Sequence, residues 1–597
     1  MRAWVPFLFV LAGIALFFEL GRMDIVSDHE GQRSVPPREM LASGDFIVPT
    51  INGEIYLAKP PLLYWAVAAV YAVTGTVSET TARFPTASSG FLLVLLTFFA
   101  FRRQAGDQAA GWAAIVLLTS FLFLERSRWA MIDTPFALAV FLTLIPLFAA
   151  WRTHDARRAL ILSVLAGIAL TAANLLKGPV PYLFIWAAWI AAATLASPDA
   201  ARVIRQGLVL SASVFALEVM LWAVQGVTGW ERGFPLPLAI ALIGWTALAM
   251  HGAGEARKRL LWTTGLAVAL GTLLVLPWAL LVLNATGWDY SAGLLHEQVA
   301  ERTYTASEIN AGDPFYFLYM LVVSCLPWGF LFFSFGSRSR WRERPAIYRT
   351  ALLTSLLSVL VFSLIAGKER HYLMPALPFI ALAAGFEVAR FHERLQDGIS
   401  SVRQKVWTVF TSVMAGFGGA GVFIYLLVNG AAGGTLAWVA LFAVIGLAVT
   451  ARAQWAPARQ MTLLSVGLVM TCMGVLMARA EHWSGDHSFQ QVASTAGDLQ
   501  RAGYAVAASR MLPPMAFYAG TIIPTDLTAS EISQMLDEDE PFYYVSFQEF
   551  VAALEQVSGE EGRPLQLLLG PHSHKNVVLM GNEPLPDDLD PKGAMTP

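Results

Sequence analysis

The sequence predicts a mainly α-helical, multipass membrane protein that carries a small soluble α/β domain at its C-terminal end. Of the 597 residues, 56% are hydrophobic and 14% are charged, whereas soluble domains carry about 25% charged residues. Apolar runs close to the length that crosses a bilayer as a helix recur along the first 480 residues. From Glu481 onward the chain holds 5 basic and 17 acidic residues. This composition argues against a soluble enzyme, a disordered protein and a nucleic-acid-binding protein.

The apolar runs predict about 13 to 15 transmembrane helices. The first run has no small-x-small cleavage site, so we expect it to be a retained helix rather than a signal peptide. The candidate spans are 4–21, 84–101, 109–124, 134–151, 159–176, 179–196, 207–225, 235–250, 260–283, 314–335, 350–366, 372–389, 405–428, 432–450 and 460–478.

Basic residues orient these helices, because Lys and Arg concentrate in cytoplasmic loops. With the N-terminus inside and the C-terminus outside, the inner loops hold 22 basic residues, the outer loops 12 and the tail 6. The apolar run 61–73 is too short to span comfortably, and counting it as a span would reverse every later loop. We therefore expect an interfacial helix in the first outer loop, 22–83.

Two domains are predicted, a transmembrane domain over 1–480 and a periplasmic α/β domain over 481–597. Hydrophobic patterning in the second predicts helices over 488–502, 530–536 and 550–557, with strands over 504–508, 542–547, 565–569 and 577–580. The segment 584–597 is rich in Pro and Asp, which predicts disorder.

Ionisable residues gather in the outer loops, several of them at predicted ends of spans. Asp133 opens one span, Lys177 ends another, and 368–371 lies between two. Ionisable groups at this depth cost several kcal/mol unless they are paired or face water. One such residue alone is explained as a snorkelling anchor or part of a solvated loop. The whole set mixes carboxylates and cations on one side, and it predicts an active-site cleft.

The chemistry of this cleft suits a lipid phosphate, because Lys and Arg side chains at the headgroup level bind phosphate. Carboxylates beside them suit a general base or a cation ligand. The chain contains no P-loop, GxGxxG, HExxH or CxxC pattern. A lipid phosphate as leaving group needs no nucleotide, so the sequence requires no cofactor, although it leaves room for a divalent cation.

An ordered series of motifs begins with the tract from Arg38 to Trp65, which contains Arg38-Glu39-Met40, Asn52-Gly53 and Lys59-Pro60-Pro61. Later members are 82–85, 128–134, 176–179, 276–278, His296-Glu297, 314–316 and 367–378. Over about residues 1–390 this series resembles GT-C glycosyltransferases of the protein O-mannosyltransferase and lipid A aminoarabinose transferase (ArnT) type. One such motif would be weak, whereas the ordered series is specific.

The resemblance implies a GT-C fold with periplasmic juxtamembrane helices, in a multipass protein of the bacterial inner membrane. It also implies inverting transfer of a sugar from a polyprenyl-phosphate-linked donor, such as an undecaprenyl phosphate sugar, to a lipid, glycan or protein acceptor on the periplasmic side. The expected partners are the donor, the acceptor and membrane lipid, and no nucleic acid.

The resemblance also assigns roles in the first outer loop, where the family usually has an Asp-Glu pair. Here Asp28 and Glu30 are separated by His29. Counted back from Arg38, His29 and Glu30 occupy the positions of the family's Asp-Glu pair, and Asp28 lies one position before that pair. Either Asp28 or Glu30 can take the catalytic role of orienting or deprotonating the acceptor, and we expect both in the site.

The other assignments concern substrate binding. Lys59 is expected to hold the donor phosphate, and Asp133 a sugar or a cation. The full set of expected substrate-binding residues is His29, Arg33, Lys59, Asp133, Lys177, His296, Glu297, Arg302, Lys368, Arg370, His371 and Tyr372.

Two other classes of function are compatible with a multipass chain. A transporter or flippase for a lipid-linked sugar typically has internal repeats and ionisable residues at the midplane. This sequence has no recognisable repeat, and its charges gather on one face. The second alternative is a membrane scaffold whose acidic tail docks a partner, and the charge pattern from Arg38 to Trp65 argues against it.

Overall fold

The computed structural model describes residues 4–213, 236–295, 315–326, 328–329, 344–364, 367–396, 489–525, 531–532, 541–560, 565–569, 577–586 and 589. The predicted spans 405–428, 432–450 and 460–478 lie outside the described residues, as does the predicted domain boundary near 480.

The first part of the described chain is built from helices. In chain order they are α1 (Trp4–Phe17), α2 (Asp28–Ser43), α3 (Leu62–Thr74), α4 (Glu79–Ala105), α5 (Asp107–Thr119), α6 (Phe121–Arg128), α7 (Asp133–Arg152), α8 (Ala156–Lys177), α9 (Pro181–Ala196), α10 (Leu236–Gly252), α11 (Ala256–Leu273), α12 (Leu276–Thr286), α13 (Trp288–Leu295), α14 (Tyr316–Ser324), α15 (Ala346–Leu364), a 3-10 helix (Arg370–Ala376) and α16 (Leu377–Gln396). A short hairpin of β1 (Thr50–Ile51) and β2 (Glu54–Ile55) connects α2 to α3.

Six apolar segments of the described chain are long enough to cross a bilayer. They are Glu79–Ala105, Asp133–Arg152, Ala156–Lys177, Ala256–Thr286, Ala346–Ser363 and Arg370–Arg390. The pair α5 and α6, bent by 62°, adds a seventh if the two form one broken span. The prediction of a multipass helical protein is therefore confirmed. The number of 13 to 15 spans stays a prediction, because several candidates lie wholly or partly outside the described residues.

The apolar run that the sequence placed at the membrane surface is α3, a helix of 13 residues. It ends at Gly75, which adopts a positive φ of 65°, as glycine at a helix C-terminus commonly does. Leu63, Val67 and Tyr71 on its buried face join the core of the membrane helices. The helix is shorter than a span, as predicted, while its position at the bilayer surface stays a prediction.

Close packing between α5 and α16 depends on a glycine. A Cβ added at Gly385 would overlap the backbone nitrogen of Ala113 and would lie 2.8 Å from the carbonyl oxygen of Ala109. Small residues allow such close approach between helices, which is a common basis of helix association in membranes. The α5–α16 contact therefore has no room for a side chain at position 385.

The C-terminal part contains a four-stranded sheet of order β3-β4-β6-β5. Its elements are α17 (Gln490–Arg501), β3 (Ala505–Ala508), α18 (Pro513–Ala519), β4 (Phe542–Phe547), α19 (Gln548–Glu560), β5 (Gln566–Leu569) and β6 (Val577–Gly581). The strands β3 and β4 are parallel, and the other pairs are antiparallel. The four predicted strands and two predicted helices are present, while most of the predicted helix 530–536 lies outside the described residues.

The helix α18 is an element of the C-terminal part that the sequence did not predict. Its seven residues are too few for a helical hydrophobic pattern to emerge. Its boundary signals were present, since prolines open it and Gly520 ends it with a φ of 70°. Ala516 and Phe517 of this helix belong to the same hydrophobic core as the membrane helices, so the sheet-containing part is packed against the helical part.

We predict that Gly385→Val lowers the apparent melting temperature of the detergent-purified protein. Overpacking a tight contact costs about 1–3 kcal/mol, and the obstructing atoms here belong to the backbone of α5, which cannot rotate away. The control is Gly265→Val in α11, where an added Cβ has nothing within 4 Å. Equal melting temperatures for the two variants would contradict the described packing of α5 against α16.

Candidate active site

A buried carboxylate anchors the first outer loop. Glu30, in the first turn of α2, is fully buried. It accepts hydrogen bonds from Arg83 Nε at 2.9 Å and Nη2 at 3.0 Å. The backbone N–H of Ala130 donates a third at 2.8 Å. One side chain thus joins α2 to α4 and to the segment that leads into α7.

The guanidinium of Arg83 also binds the segment that connects α1 to α2. Its Nη1 donates to the carbonyl oxygens of Leu20 at 3.1 Å and Met23 at 2.5 Å, and its Nη2 donates to that of Asp24 at 3.3 Å. Arginine suits this position because its planar group presents five donors in fixed directions. The path of the chain from α1 into α2 is therefore held by one buried cation.

The three residues that open α2 lie in different environments. Asp28 is half-buried, His29 is exposed, and Glu30 is fully buried. His29 Nδ1 lies 3.5 Å from Gln32 Oε1. Successive helical residues point about 100° apart, so the buried side chain of Glu30 points in a different direction from the half-buried Asp28 and the exposed His29.

A second cluster joins three separate helix ends. Asp133, at the start of α7, is 4% exposed. Its Oδ1 lies 2.7 Å from Nζ of Lys177 at the end of α8, and 3.8 Å from Nε2 of His371 in the 3-10 helix. The helix dipoles favour an acid at the start of α7 and a base at the end of α8. The sequence predicted all three residues, and the structure brings them together.

Aromatic rings surround the amine of Lys177. Its Nζ lies 5.5 Å from the ring centre of Phe136 and 5.3 Å from that of Tyr372. Such cation–π contacts are stronger where water is excluded. The Tyr372 ring also packs edge-on against His371 at 4.9 Å. Tyr372 thus belongs to the same cluster.

Electrostatic interactions connect this cluster to α2 and α6. His371 interacts with His29 and with Arg126 in addition to Asp133 and Lys177, and Arg33 interacts with Asp133. Two predicted residues of the first loop, His29 and Arg33, therefore lie in the field of the second cluster. The loop and the helix ends form one charged region.

Arg33 is buried beside two tyrosines. Its Nη1 donates to the hydroxyl of Tyr56 at 3.4 Å. Burial raises the pKa of Tyr64 to about 12, against the opposing effect of the Arg33 charge. Neither tyrosine was among the predicted site residues. The tract that contains them was recognised from the sequence, but nothing in it indicates that their hydroxyls face Arg33.

A further pair at the edge of this region was also missed. Arg370 Nη2 lies 3.0 Å from Oε2 of Glu125, and the side chain of Glu125 is nearly fully buried. Arg126 Nε lies 3.9 Å from the same oxygen. Glu125 and Arg126 are not among the predicted site residues, and no spacing rule connects them to residue 370.

Of the remaining predicted residues, two are described by the structure and three are not. Lys368 is buried and donates to the carbonyl oxygen of Ser363 at 2.6 Å, with its amine 5.8 Å from the ring centre of Phe317. Lys59 is half-buried in the segment that leads into α3. The predicted residues His296, Glu297 and Arg302 lie outside the described residues.

The described residues contain no cluster of metal ligands. Within these ranges no three or more His, Cys, Asp and Glu side chains form a group that could hold a metal ion. The divalent cation that the sequence leaves room for therefore stays a prediction.

Comparison with known families agrees with the predicted resemblance. Residues 36–229 match the model of the dolichyl-phosphate-mannose-protein mannosyltransferase (PMT) family. Residues 313–454 match that of the Alg9-like mannosyltransferase family. The two matches fall in separate parts of the chain. The first contains the tract from Arg38 to Trp65, Asp133 and Lys177.

Two individual relatives match a large part of the chain. An undecaprenyl phosphate-alpha-4-amino-4-deoxy-L-arabinose arabinosyl transferase of Pseudomonas aeruginosa (strain UCBPP-PA14) is 30% identical over 367 residues, which are 60% of this chain and 54% of the relative. An uncharacterized protein of Aquifex aeolicus (strain VF5) is 27% identical over 380 residues, 63% of this chain and 62% of the relative. The chain spans a little more than half the length of these relatives.

A solved structure matches the fold over almost the whole chain. The crystal structure of ArnT from Cupriavidus metallidurans bound to undecaprenyl phosphate superposes with a TM-score of 0.70 and 19% identity, covering 98% of this chain and 100% of that chain. Its apo form superposes with a TM-score of 0.68. The predicted GT-C fold is therefore confirmed, and so is the resemblance to glycosyltransferases of the PMT and ArnT type.

We predict that Arg83→Ala destabilises the protein strongly, because it leaves the Glu30 carboxylate buried without its cation. Breaking a buried ion pair costs about 3–5 kcal/mol. The control is Arg102→Ala at the other end of α4, where Arg102 forms a partly exposed pair with Asp107 at 3.3 Å. Such pairs contribute about 0–1 kcal/mol. Thermal unfolding in detergent compares the two, and similar losses would contradict the anchoring role of Arg83.

Proposed function

We propose that this chain is an inverting glycosyltransferase that moves a sugar from a polyprenyl-phosphate-linked donor to a lipid, glycan or protein acceptor. The observation that carries the proposal is the Asp133–Lys177–His371 cluster, in which three helix ends of a GT-C fold present paired charges at the end of apolar helices. Buried ionisable groups at such depth mark functional sites more often than structural ones.

Donor binding is assigned to the cations of this region. Lys59 holds the phosphate, and its positive charge offsets the negative charge that develops as the phosphate leaves. Lys177, Lys368, Arg370, His371 and Tyr372 surround the phosphate or the sugar, together with His29, Arg33, His296, Glu297 and Arg302. Asp133 binds the sugar or a divalent cation, and its pairing with Lys177 at 2.7 Å orients its carboxylate.

Asp28 is our choice for the carboxylate that orients or deprotonates the acceptor. Glu30 already accepts three hydrogen bonds and is fully buried, so its oxygens are engaged within the protein. Asp28 is half-buried and opens the same helix. Glu30 then supports the site by fixing the turn on which Asp28 and His29 stand.

The polyprenyl phosphate carrier is supported by the relatives. The Pseudomonas aeruginosa relative is named as a transferase of an undecaprenyl-phosphate-linked aminoarabinose, and the ArnT structure with this fold contains undecaprenyl phosphate. Inversion follows from a direct displacement by the acceptor, in which the acceptor oxygen bonds to the anomeric carbon, the bond from that carbon to the phosphate oxygen breaks, and the base takes the acceptor proton.

The membrane arrangement belongs to the same proposal. The chain is a multipass membrane protein, and we assign it to the bacterial inner membrane with the N-terminus cytoplasmic and the C-terminal domain, 481–597, periplasmic. The excess of basic residues in the loops assigned to the inside supports this orientation. It puts the Asp133–Lys177–His371 cluster on the periplasmic side, within the 1–480 transmembrane domain.

The test is transfer of labelled sugar from polyprenyl-phosphate donors by the purified protein in liposomes. We predict that Asp28→Asn lowers kcat by about 10²–10⁴-fold, as expected for loss of a general base, with a smaller change in melting temperature than Glu30→Gln. Glu30→Gln is expected to lower both activity and melting temperature, since it weakens the pair with Arg83. Lys59→Ala is expected to lower kcat/KM for the donor.

The control is Lys258→Ala, an exposed lysine in the first turn of α11, at the end assigned to the inside, which should behave as wild type. If Asp28→Asn, Glu30→Gln and Lys59→Ala were all as active as wild type, the site assignment would be wrong. Scrambling of the lipid-linked sugar across the liposome without transfer would favour the flippase. Parallel assays with EDTA test the divalent cation.

A further inference from the structure

The C-terminal part of the chain contacts the first outer loop through α18. The side chain of Arg38, in α2, donates from Nη1 to the carbonyl oxygens of Ala516 at 2.8 Å and Phe517 at 3.3 Å. These two carbonyls lie at the end of α18, where helix carbonyls lack partners within the helix. A cation at this position also interacts favourably with the helix dipole.

The contact between α2 and α18 is close at a second point. A Cβ added at Gly31 would lie 2.5 Å from the carbonyl carbon of Pro513 and 2.6 Å from the nitrogen of Pro514. Only glycine allows the two backbones to approach this closely. Gly31 directly follows the buried Glu30, so α18 packs against the turn of α2 that carries the proposed catalytic residues.

The hairpin after α2 is held by the same part of the chain. Asn52 Nδ2 donates to the carbonyl oxygen of Ile523 at 2.8 Å, and the backbone N–H of Ile523 donates to Asn52 Oδ1 at 2.9 Å. The pair imitates the reciprocal bonds of a sheet. Asn52 has a φ of 53°, a conformation that asparagine tolerates better than most residues.

One tyrosine hydroxyl joins the loop before α2 to α4. The hydroxyl of Tyr518 donates to Glu79 Oε1 at 2.9 Å and accepts from the backbone N–H of Ile25 at 2.7 Å. Ile25 lies three residues before Asp28, and Glu79 is the first residue of α4. Donation to Glu79 requires the protonated phenol. Burial and the carboxylates of Glu79 and Asp24 raise the pKa of Tyr518, so the phenol stays protonated at neutral pH.

We propose that Tyr518 is a positioning residue for the transfer reaction, through which the C-terminal domain holds the segment 25–30 in its catalytic geometry. The inference rests on the proposed function, and it makes the C-terminal domain a component of the active site. Glu30 attaches this segment to α4 and to the segment before α7, and Tyr518 attaches it to the C-terminal part. Asp28 lies between these two attachments along the chain.

The first experiment separates positioning from general stability. Tyr518→Phe removes the hydroxyl and keeps the ring, and we expect kcat to fall about tenfold to a hundredfold, the size expected when a reacting group shifts by about 1 Å. KM for the donor should change little, since the donor-binding cations are untouched. The matched control is Tyr543→Phe, which removes a hydroxyl that donates to Pro584 O at 3.1 Å inside the C-terminal part.

A conservative replacement of the partner tests the same bond from the other end. Glu79→Gln keeps an oxygen that accepts from Tyr518, so it should retain most of the activity, whereas Glu79→Ala should reproduce the loss in kcat of Tyr518→Phe. Combining Glu79→Ala with Tyr518→Phe should add little further loss, because both remove one interaction. Full activity in Tyr518→Phe, or an equal loss in Tyr543→Phe, would overturn the proposal.

The second experiment does not depend on activity. Hydrogen exchange of the Ile25 amide, measured on peptides that cover 23–30, should accelerate in Tyr518→Phe and stay unchanged in Tyr543→Phe. A loss of kcat without faster exchange at Ile25 would overturn the positioning role. If the wild type transferred no sugar from any polyprenyl-phosphate donor, the proposed function would be wrong, and exchange at Ile25 would still decide whether Tyr518 holds the loop.

Discussion

The buried pair of Glu30 and Arg83 is the interaction on which the rest of the site depends. A carboxylate and a guanidinium removed from water are tolerated only when they are paired and their remaining donors and acceptors are satisfied. Both conditions are met because four segments come together at one point. They are the segment after α1, the start of α2, the start of α4 and the segment before α7. Ala130, which donates to Glu30, lies three residues before Asp133. The same pair therefore sets the positions of the first loop and of the second cluster.

The second constraint is the membrane, which confines charge to the ends of helices. Asp133 begins one span and Lys177 ends another, so each can pair with the other while the rest of its helix stays apolar. Pairing at 2.7 Å reduces the cost of burying them. The same arrangement concentrates charge where a lipid phosphate lies at the headgroup level. The shortage of charged residues in the sequence and the clustering of those that remain thus have one physical cause.

The sequence predicted the fold class and the four strands of the small sheet, because apolar periodicity is a local signal. It also grouped Asp133, Lys177, His371 and Tyr372, which the structure brings close together, because it placed all of them at predicted helix ends in the outer loops. It left Asp28 and Glu30 equivalent, because the sequence does not show which of two acids in the same helical turn faces the interior. The contacts of Tyr518 with Ile25 and Glu79 join residues more than 430 positions apart, and no local pattern indicates such a contact.

The most direct test of the central claim is a density map of the full-length protein in lipid nanodiscs with a polyprenyl-phosphate sugar bound. We predict that the lipid phosphate lies within hydrogen-bonding distance of Lys59, that the sugar faces Asp133, and that Asp28 lies nearer to the anomeric carbon than Glu30. Glu30 should remain paired with Arg83. A lipid phosphate bound at the opposite end of the helices, or an anomeric carbon facing Glu30, would contradict this account.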